Sequence, residues 1–165
     1  MSSSTPESLT AAVLTVSDSS ARGERSDLSG PAVTEALRNG GFSVVATEII
    51  SDDQVPIQQA IVRLAEKARL VVTTGGTGIA KRDVTPEASR AVCDRLLEGV
   101  AEKMRFEGGK KTRFAALSRG ICGVRGESVI LNLPGSPAGA VDSLNAVIDL
   151  MPHALQLLSG NTTHE

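Results

Sequence analysis

The sequence predicts a layered α/β domain built around a largely parallel sheet. Short apolar runs rich in Val and Ile alternate along the chain with longer segments of helical periodicity, which is typical of alternating strands and helices. Glycine, proline and asparagine mark the connections between these segments. With 165 residues, of which 41% are hydrophobic, the chain is large enough for one domain with its own core. We expect this domain to cover residues 11–160 and the first ten residues to form a flexible tail.

The N-terminal half is predicted to contain three strands and two helices. The first strand, Ala11 to Ser17, leads into a polar loop, Asp18 to Ser29. A helix then runs from Gly30 to about Arg38, where an Asn and two Gly residues end it. The next three elements are a strand, a helix with one apolar stripe and another strand: Ser43 to Ile50, Val55 to Ala68, and Leu70 to Thr74.

The C-terminal half is predicted to begin with a helix whose first residues are typical of a helix N-terminus. Thr85 is a favourable N-cap, Pro86 suits the first helical position, and Glu87 complements the positive end of the helix dipole. This helix is expected to end near Leu97. After it we expect an amphipathic segment, a basic loop, two strands that form an antiparallel edge, and a last helix with a break before Pro152: Val100 to Phe106, Gly108 to Arg113, Ile121 to Val124, Ser128 to Leu131, and a helix start near Ala138.

Charge and composition exclude several classes of partner. The formal net charge of -2 provides no basic field, and a chain without Trp or Tyr has few stacking platforms, so we expect no nucleic-acid partner. No apolar run approaches the ~20 residues of a membrane span, and the N-terminus does not resemble a signal peptide. We therefore expect no membrane partner and a cytoplasmic location. Cys93 and Cys122 lack the spacing of a zinc site and are predicted to be reduced core thiols.

The most informative segment is a glycine-rich turn after the third strand, VVTTGGTGIAKRDVTPEA. Gly75, Gly76 and Gly78 let the backbone take positive φ and approach a ligand closely, and Asp83 lies just ahead of a helix start. Two common nucleotide motifs fail here. A Walker A loop needs Gly-Lys-Ser/Thr where the chain has Ala-Lys-Arg, and the dinucleotide fingerprint meets a lysine where its third glycine belongs. A plain connection with solvated charges is the competing interpretation.

The strand ends provide the partners of this turn. Ligands of open α/β sheets bind outside the carboxyl ends of the strands, so the residues that follow the strands define a candidate cleft. The chain places hydroxyls, carboxylates and glycines there: Ser17, Asp18 and Ser19; Asp52 and Asp53; the glycine turn with Asp83; and Gly135 with Ser136. We therefore predict one cleft that combines phosphate-binding backbone with at least two carboxylates.

Two assignments stay open at this point. Asp52 also suits a purely structural role as an N-cap, since a good helical pattern opens at Val55. Arg22 and Arg25 lie among acidic residues, and a solvated charge cluster explains them better than a role in guarding the cleft.

Taken in order, the motifs resemble those of the molybdopterin adenylyltransferase family. TTGGTG followed by RDVTPEA carries the likeness, together with LNLPGSP later in the chain. Matching segments also include LTVSDS at the first strand, SDDQ after the second, LSRGICGVRG, and MPHALQLL near the C-terminus. The likeness covers nearly all of the chain after the first ten residues. It implies a three-layer α/β/α subunit that assembles as a homotrimer.

The resemblance also implies a reaction, the Mg²⁺-dependent transfer of AMP from ATP to the terminal phosphate of molybdopterin, ahead of a downstream molybdenum insertase. The family's catalytic carboxylates fall on Asp52 and Asp83, which we also expect to bind Mg²⁺. A non-catalytic molybdopterin carrier and a trimeric assembly scaffold are the alternative functions. The residues expected to bind substrate are Ser17, Asp18, Ser19, Gly75, Gly76, Thr77, Gly78, Thr85, Pro86, Glu87, Ser118, Arg119, Gly135, Ser136 and Pro137.

Overall fold

The computed structural model describes residues 8–161 as a six-stranded sheet with helices on both faces. The strands are β1 Thr10–Val16, β2 Ser43–Ile50, β3 Leu70–Thr74, β4 Arg95–Leu96, β5 Cys122–Arg125 and β6 Ser128–Leu133. The helices are α1 Asp18–Ala21, α2 Ser29–Asn39, α3 Gln54–Ala65, α4 Thr85–Val92, α5 Glu98–Gly109, α6 Pro137–Val147 and α7 Met151–Leu158, with short 3-10 helices at Arg113–Leu117 and Ile148–Leu150. Most of the predicted tail, residues 1–7, lies outside the described residues. None of the described helices is long and apolar enough to cross a membrane.

The sheet is mostly parallel, as predicted. Its strand order is β2-β1-β3-β6-β5-β4, and the antiparallel pairs are confined to the edge formed by β5 and β4. The register places Val16 beside Ile50, and Thr74 beside both Thr15 and Leu133. The four parallel strands therefore end at one side of the sheet, and the loops that follow them lie next to one another.

Each face of the sheet has its own hydrophobic core. On one face the helices α2, α6 and α7 bury a cluster that includes Leu37, Leu131 and Leu144. On the other face α3 and α4 bury a second cluster that includes Ile61 and Val71. All of β3 is buried because both of its faces are covered. These two cores separate three layers, which confirms the α/β/α fold.

The polar loop predicted from Asp18 to Ser29 contains a short helix, α1. The Ser17 hydroxyl caps it by accepting a hydrogen bond from the backbone N–H of Ser20 at 3.2 Å. This helix buries no residue and so leaves no apolar periodicity in the sequence. Helix α3 ends at Ala65, three residues before its predicted end at Ala68.

The helix predicted to reach Leu97 ends instead at Val92, where the chain turns into strand β4. The N–H of Asp94 donates to the carbonyl of Val124 at 2.7 Å, and the N–H of Leu97 donates to Cys122 at 2.8 Å. Pairing with β5 therefore replaces the helical hydrogen bonds of this segment. Local propensity favoured a longer helix, and tertiary pairing overrode it.

The remaining helices also differ from the prediction at their ends. Helix α5 continues to Gly109, past the expected end at Phe106 and into the predicted basic loop. The predicted break in the last helix is confirmed, because α6 ends at Val147 and α7 begins at Met151. Pro152 lies in the first turn of α7, where its missing N–H costs no helical bond.

Candidate active site

A cleft of about 500 Å³ opens at the carboxyl ends of β1, β2, β3 and β6. The structure brings together in its lining eight of the residues proposed from the sequence: Ser17, Asp52, Gly75, Gly76, Asp83, Gly135, Ser136 and Pro137. They come from four separate loops, each of which follows a parallel strand. The cleft therefore depends on the sheet topology and not on any one local motif.

The glycine turn forms one wall of the cleft. Gly75 and Gly76 have φ values of 100° and 70°, in a backbone region that residues with a side chain rarely adopt. A Cβ at Gly75 would lie 2.3 Å from the carbonyl oxygen of Val16, and a Cβ at Gly76 would lie 2.3 Å from the Thr85 hydroxyl. The prediction of positive φ is wrong for Gly78, where the constraint is steric: a Cβ there would lie 2.8 Å from a carboxylate oxygen of Asp83.

Two carboxylates face the cleft from different loops. Asp83 closes a turn, with its Oδ2 accepting from the backbone N–H of Ala80 at 3.0 Å. Asp52 accepts at Oδ2 from the backbone N–H of Asp18 at 2.8 Å, and no donor from the described residues reaches its Oδ1. Burial raises the pKa of Asp52, and the charges of Asp18 and Asp83 add to that effect. A partly buried carboxylate beside like charges favours a bound cation.

The structure excludes the interpretation of Asp52 as an N-cap. Asp53 occupies the cap position of α3 and makes no capping hydrogen bond. The backbone N–H of Asp52 instead donates to Oδ1 of Asp18 at 2.9 Å, which ties the loop after β2 to the loop after β1. Asp18 makes this contact, and neither Asp18 nor Ser19 lines the cleft.

The N-terminus of α6 forms another part of the cleft wall. The Ser136 hydroxyl accepts from the backbone N–H of Gly139 at 3.2 Å, and Pro137 occupies the first turn. Both residues line the cleft together with Gly135. The positive end of the helix dipole is therefore available to an anion in the cleft.

Several predicted site residues lie around the glycine turn without lining the cleft. The guanidinium of Arg119 donates to the carbonyl oxygens of Gly78 at 2.8 Å and Asp83 at 2.7 Å, and it also pairs with Glu87. Its backbone N–H donates to Thr77 at 2.8 Å. Pro86 is buried at the start of α4.

Ser118 and Arg119 also line a separate cavity of about 380 Å³, so the structure does not bring them into the cleft of Asp52.

The structure also places in the cleft Thr15, Ser20, Ser26 and Asp27, none of which was predicted from the sequence to bind substrate. Asp27 accepts from the Thr15 hydroxyl at 2.7 Å and from the backbone N–H of Gly30 at 2.9 Å. An Asp three residues before a helical N–H is a recognisable capping signal. Arg22 forms an exposed pair with Glu24, as expected of a solvated cluster, whereas Arg25 lines the cleft.

The candidate metal ligands in the cleft are two carboxylates, those of Asp52 and Asp83. Within residues 8–161, no group of three or more His, Cys, Asp or Glu side chains is arranged to hold a metal ion. Asp52 and Asp83 nevertheless present the oxygen donors that Mg²⁺ prefers, and Mg²⁺ commonly completes its shell with water and substrate phosphate.

The fold and the cleft define an α/β protein whose cleft combines a glycine turn with two carboxylates. A family described as "Probable molybdopterin binding domain" matches residues 12–153. The chain belongs to this family.

Individual proteins agree with this assignment. The molybdopterin adenylyltransferase of Helicobacter pylori strain J99 is 39% identical over 153 residues, covering 90% of this chain and 87% of the relative. The molybdopterin biosynthesis enzyme MoaB from Thermus thermophilus superimposes with a TM-score of 0.87 at 49% identity, covering 92% of this chain and 97% of the other. A tungsten cofactor synthesizing MoaB from Pyrococcus furiosus gives 0.85 at 32% identity, covering 93% and 99%.

Proposed function

We propose that this protein transfers AMP from ATP to the terminal phosphate of molybdopterin and releases pyrophosphate. The observation that carries the proposal is the cleft, in which two carboxylates lie with bare glycine backbone and the N-terminus of α6. The name of the Helicobacter pylori relative supports it, because that protein matches most of this chain and is a molybdopterin adenylyltransferase.

The proposed reaction depends on positioning and charge neutralisation more than on a strong base. A phosphate oxygen of molybdopterin is already an oxyanion, and it forms a bond to the α-phosphorus of ATP. The bond from that phosphorus to the bridging oxygen breaks, and pyrophosphate leaves with the electron pair. This chemistry accounts for a cleft lined by carboxylates and backbone N–H groups, with no histidine among its described lining residues.

The two kinds of group in the cleft suit different parts of the substrates. The backbone at Gly75 and Gly76 and the start of α6 suit phosphate oxygens, since they bring N–H groups close without a mobile side chain. Asp52 and Asp83 would hold Mg²⁺, and the fit rests on their oxygen donors and on the Asp52 oxygen that no described residue contacts. When bound, the ion would offset charge on the departing pyrophosphate.

On the same resemblance we propose that the protein assembles as a homotrimer, lies in the cytoplasm and delivers its product to a molybdenum insertase. The tungsten cofactor synthesizing relative supports a tungsten pathway as the alternative destination. A non-catalytic carrier and an assembly scaffold are the alternative functions. Neither of them needs Asp52 and Asp83 to face the same cleft.

The direct test is to incubate the purified protein with molybdopterin, ATP and Mg²⁺ and to measure adenylylated pterin and pyrophosphate. We expect the two products in equal amounts. Asp83→Asn should keep pterin affinity and lose product formation, whereas Asp142→Asn, which removes an exposed pair with Lys111, should keep the wild-type rate. Pterin binding by the wild type without any product would favour the carrier and reject the transferase.

A further inference from the structure

Three loops at the cleft are joined by one group of charged residues. Asp18 and Asp52 exchange two hydrogen bonds: each backbone N–H donates to the other's carboxylate, at 2.8 and 2.9 Å. Arg82, from the loop after β3, donates to both carboxylate oxygens of Asp18, from Nε at 2.9 Å and from Nη2 at 2.8 Å. The same guanidinium lies 3.1 Å from Asp53. The loops after β1, β2 and β3 are therefore fixed to one another.

The carboxylates of Asp18 and Asp52 differ in how many hydrogen bonds they accept from the protein. Protein N–H groups make three hydrogen bonds to the Asp18 carboxylate, which leaves it little capacity for a ligand. Asp52 is held at Oδ2 alone, and its Oδ1 points toward the glycine turn, 3.2 Å from the position of a Cβ on Gly76.

We propose that Asp18 and Arg82 are positioning residues that fix the Asp52 carboxylate toward the glycine turn. This proposal rests on the adenylyl-transfer function above. Arg82 holds the Asp18 carboxylate in a two-point contact, Asp18 holds the backbone of Asp52, and the free oxygen of Asp52 then faces the cleft. A guanidinium fork fixes orientation as well as charge, which a lysine does not.

If Arg82 had a purely structural role, its loss would lower stability and not turnover. The Arg82 side chain is 59% exposed, and exposed ion pairs add only about 0–1 kcal/mol to stability. Loss of Arg82 should therefore leave the melting temperature nearly unchanged. Misplacement of a reacting group by about 1 Å can cost about 100-fold in rate, so turnover is the sensitive quantity.

The first measurement compares the steady-state kinetics of Asp18→Asn, Arg82→Gln, Arg82→Lys and the double variant Asp18→Asn/Arg82→Gln. We expect kcat to fall about 10- to 100-fold with little change in the KM for ATP. The double variant should be no slower than the slower single variant, since both changes break the same chain of contacts. The matched control is Arg63→Gln, which removes another exposed arginine–carboxylate contact, to Glu48, and should keep the wild-type rate.

Two kinetic outcomes would overturn the proposal. A raised KM for ATP at normal kcat would make Arg82 a phosphate ligand, and wild-type kinetics in every variant would remove any role. A second readout does not need turnover: Mn²⁺ binding in the presence of ATP, followed by electron paramagnetic resonance, should weaken in Asp18→Asn and Arg82→Gln as in Asp52→Asn, and equal binding in all of them would contradict positioning. An inactive wild type whose Mn²⁺ binding still follows this pattern would reject the transferase function while retaining the positioning role.

Discussion

Thr85 closes the glycine turn by holding Gly75: its hydroxyl donates to the carbonyl oxygen of Gly75 at 3.0 Å across ten residues. The backbone N–H of Thr85 also donates to the carbonyl of Gly76, at 3.1 Å. Thr85 has no exposed surface, so water cannot replace these bonds. The turn that lines the cleft is therefore joined to the first residue of α4.

This contact predicts a difference between two conservative changes. Thr85→Val keeps the shape of the side chain but removes the hydroxyl donor, which leaves the buried carbonyl of Gly75 unsatisfied. We expect it to lower the free energy of unfolding by about 1–3 kcal/mol. Thr85→Ser keeps the donor and should lose less, by the burial of one methyl group, about 1 kcal/mol. Urea unfolding of both variants measures the difference, and equal losses would show that the hydroxyl contact contributes nothing.

A second prediction concerns the backbone of the turn itself. Gly75→Ala would force a side chain into positive φ with its Cβ 2.3 Å from the carbonyl oxygen of Val16. Because that neighbour is backbone, we expect a loss of stability of more than about 1 kcal/mol, with distortion of the cleft. Gly99→Ala is the matched control: it lies in helix α5 with open space around it, and it should gain about 0.5–1 kcal/mol. Thermal unfolding of the two variants checks the opposite signs.

Thr85 also shows where sequence reasoning fails at a helix end. Its side chain was expected to cap α4, but Val84 occupies the cap position and Thr85 is the first helical residue. The local signal was correct to within one residue, and tertiary contact decided which backbone group the hydroxyl meets. Pro86, expected at the first helical position, is therefore the second helical residue, and Glu87 lies in the first turn as predicted.

The common direction of the parallel strands follows from their alternation with helices. Strands β1, β3 and β6 were predictable because each is a largely apolar and almost fully buried run, and β2 was predictable from its β-branched residues although none of its residues is buried. Strand β4 was not, since two residues paired to β5 leave no periodicity. The same limit applies within the site. Which carboxylate faces the cleft and which is held by Arg82 depends on contacts between loops that are 34 and 64 residues apart in the chain.

The cysteines give a prediction on reactivity. Burial raises the pKa of the Cys93 thiol to about 11 and that of Cys122 to about 12, above the ordinary value of about 8.5. Both thiols are then protonated at pH 8, and the protonated form is a poor nucleophile. We expect iodoacetamide to modify the native protein far more slowly than the urea-unfolded chain, with partly buried Cys93 reacting before Cys122. Rapid modification of Cys122 in the native protein would contradict this burial.

The same shifts predict a loss of stability at high pH. The unfolded chain releases its thiol protons near pH 8.5, and the folded chain releases them only near pH 11 to 12. The contribution of the thiols to the free energy of unfolding is therefore fully present below pH 8.5 and is lost as the pH rises above it. The expected slope is about 1.4 kcal/mol per thiol and pH unit. Urea unfolding from pH 7 to 10 should show a shallower decline in Cys93→Ala than in the wild type. Identical slopes would mean that Cys93 ionises equally in both states.

The last prediction separates stability from function at Asp52. Burial raises its pKa, with the charges of Asp18 and Asp83 adding to the shift, so its ionised form is disfavoured in the folded protein. A raised folded pKa means that its stabilising contribution is present at low pH and is lost as the pH rises through that value. Asp52→Asn keeps an acceptor for the Asp18 N–H and removes the charge, so at pH 7 and without ligands we expect about 1 kcal/mol more stability.

That gain should shrink as the pH falls through the raised pKa of Asp52, because the wild-type carboxyl then takes up its proton. Added Mg²⁺ and ATP should raise the melting temperature of the wild type more than that of Asp52→Asn, because the variant lacks the charged oxygen expected to meet the cation. Asp142→Asn, at an exposed position, should show neither change. A ligand-free Asp52→Asn protein less stable than the wild type at pH 7 would mean that the hydrogen bond from Asp18 outweighs the cost of the buried charge.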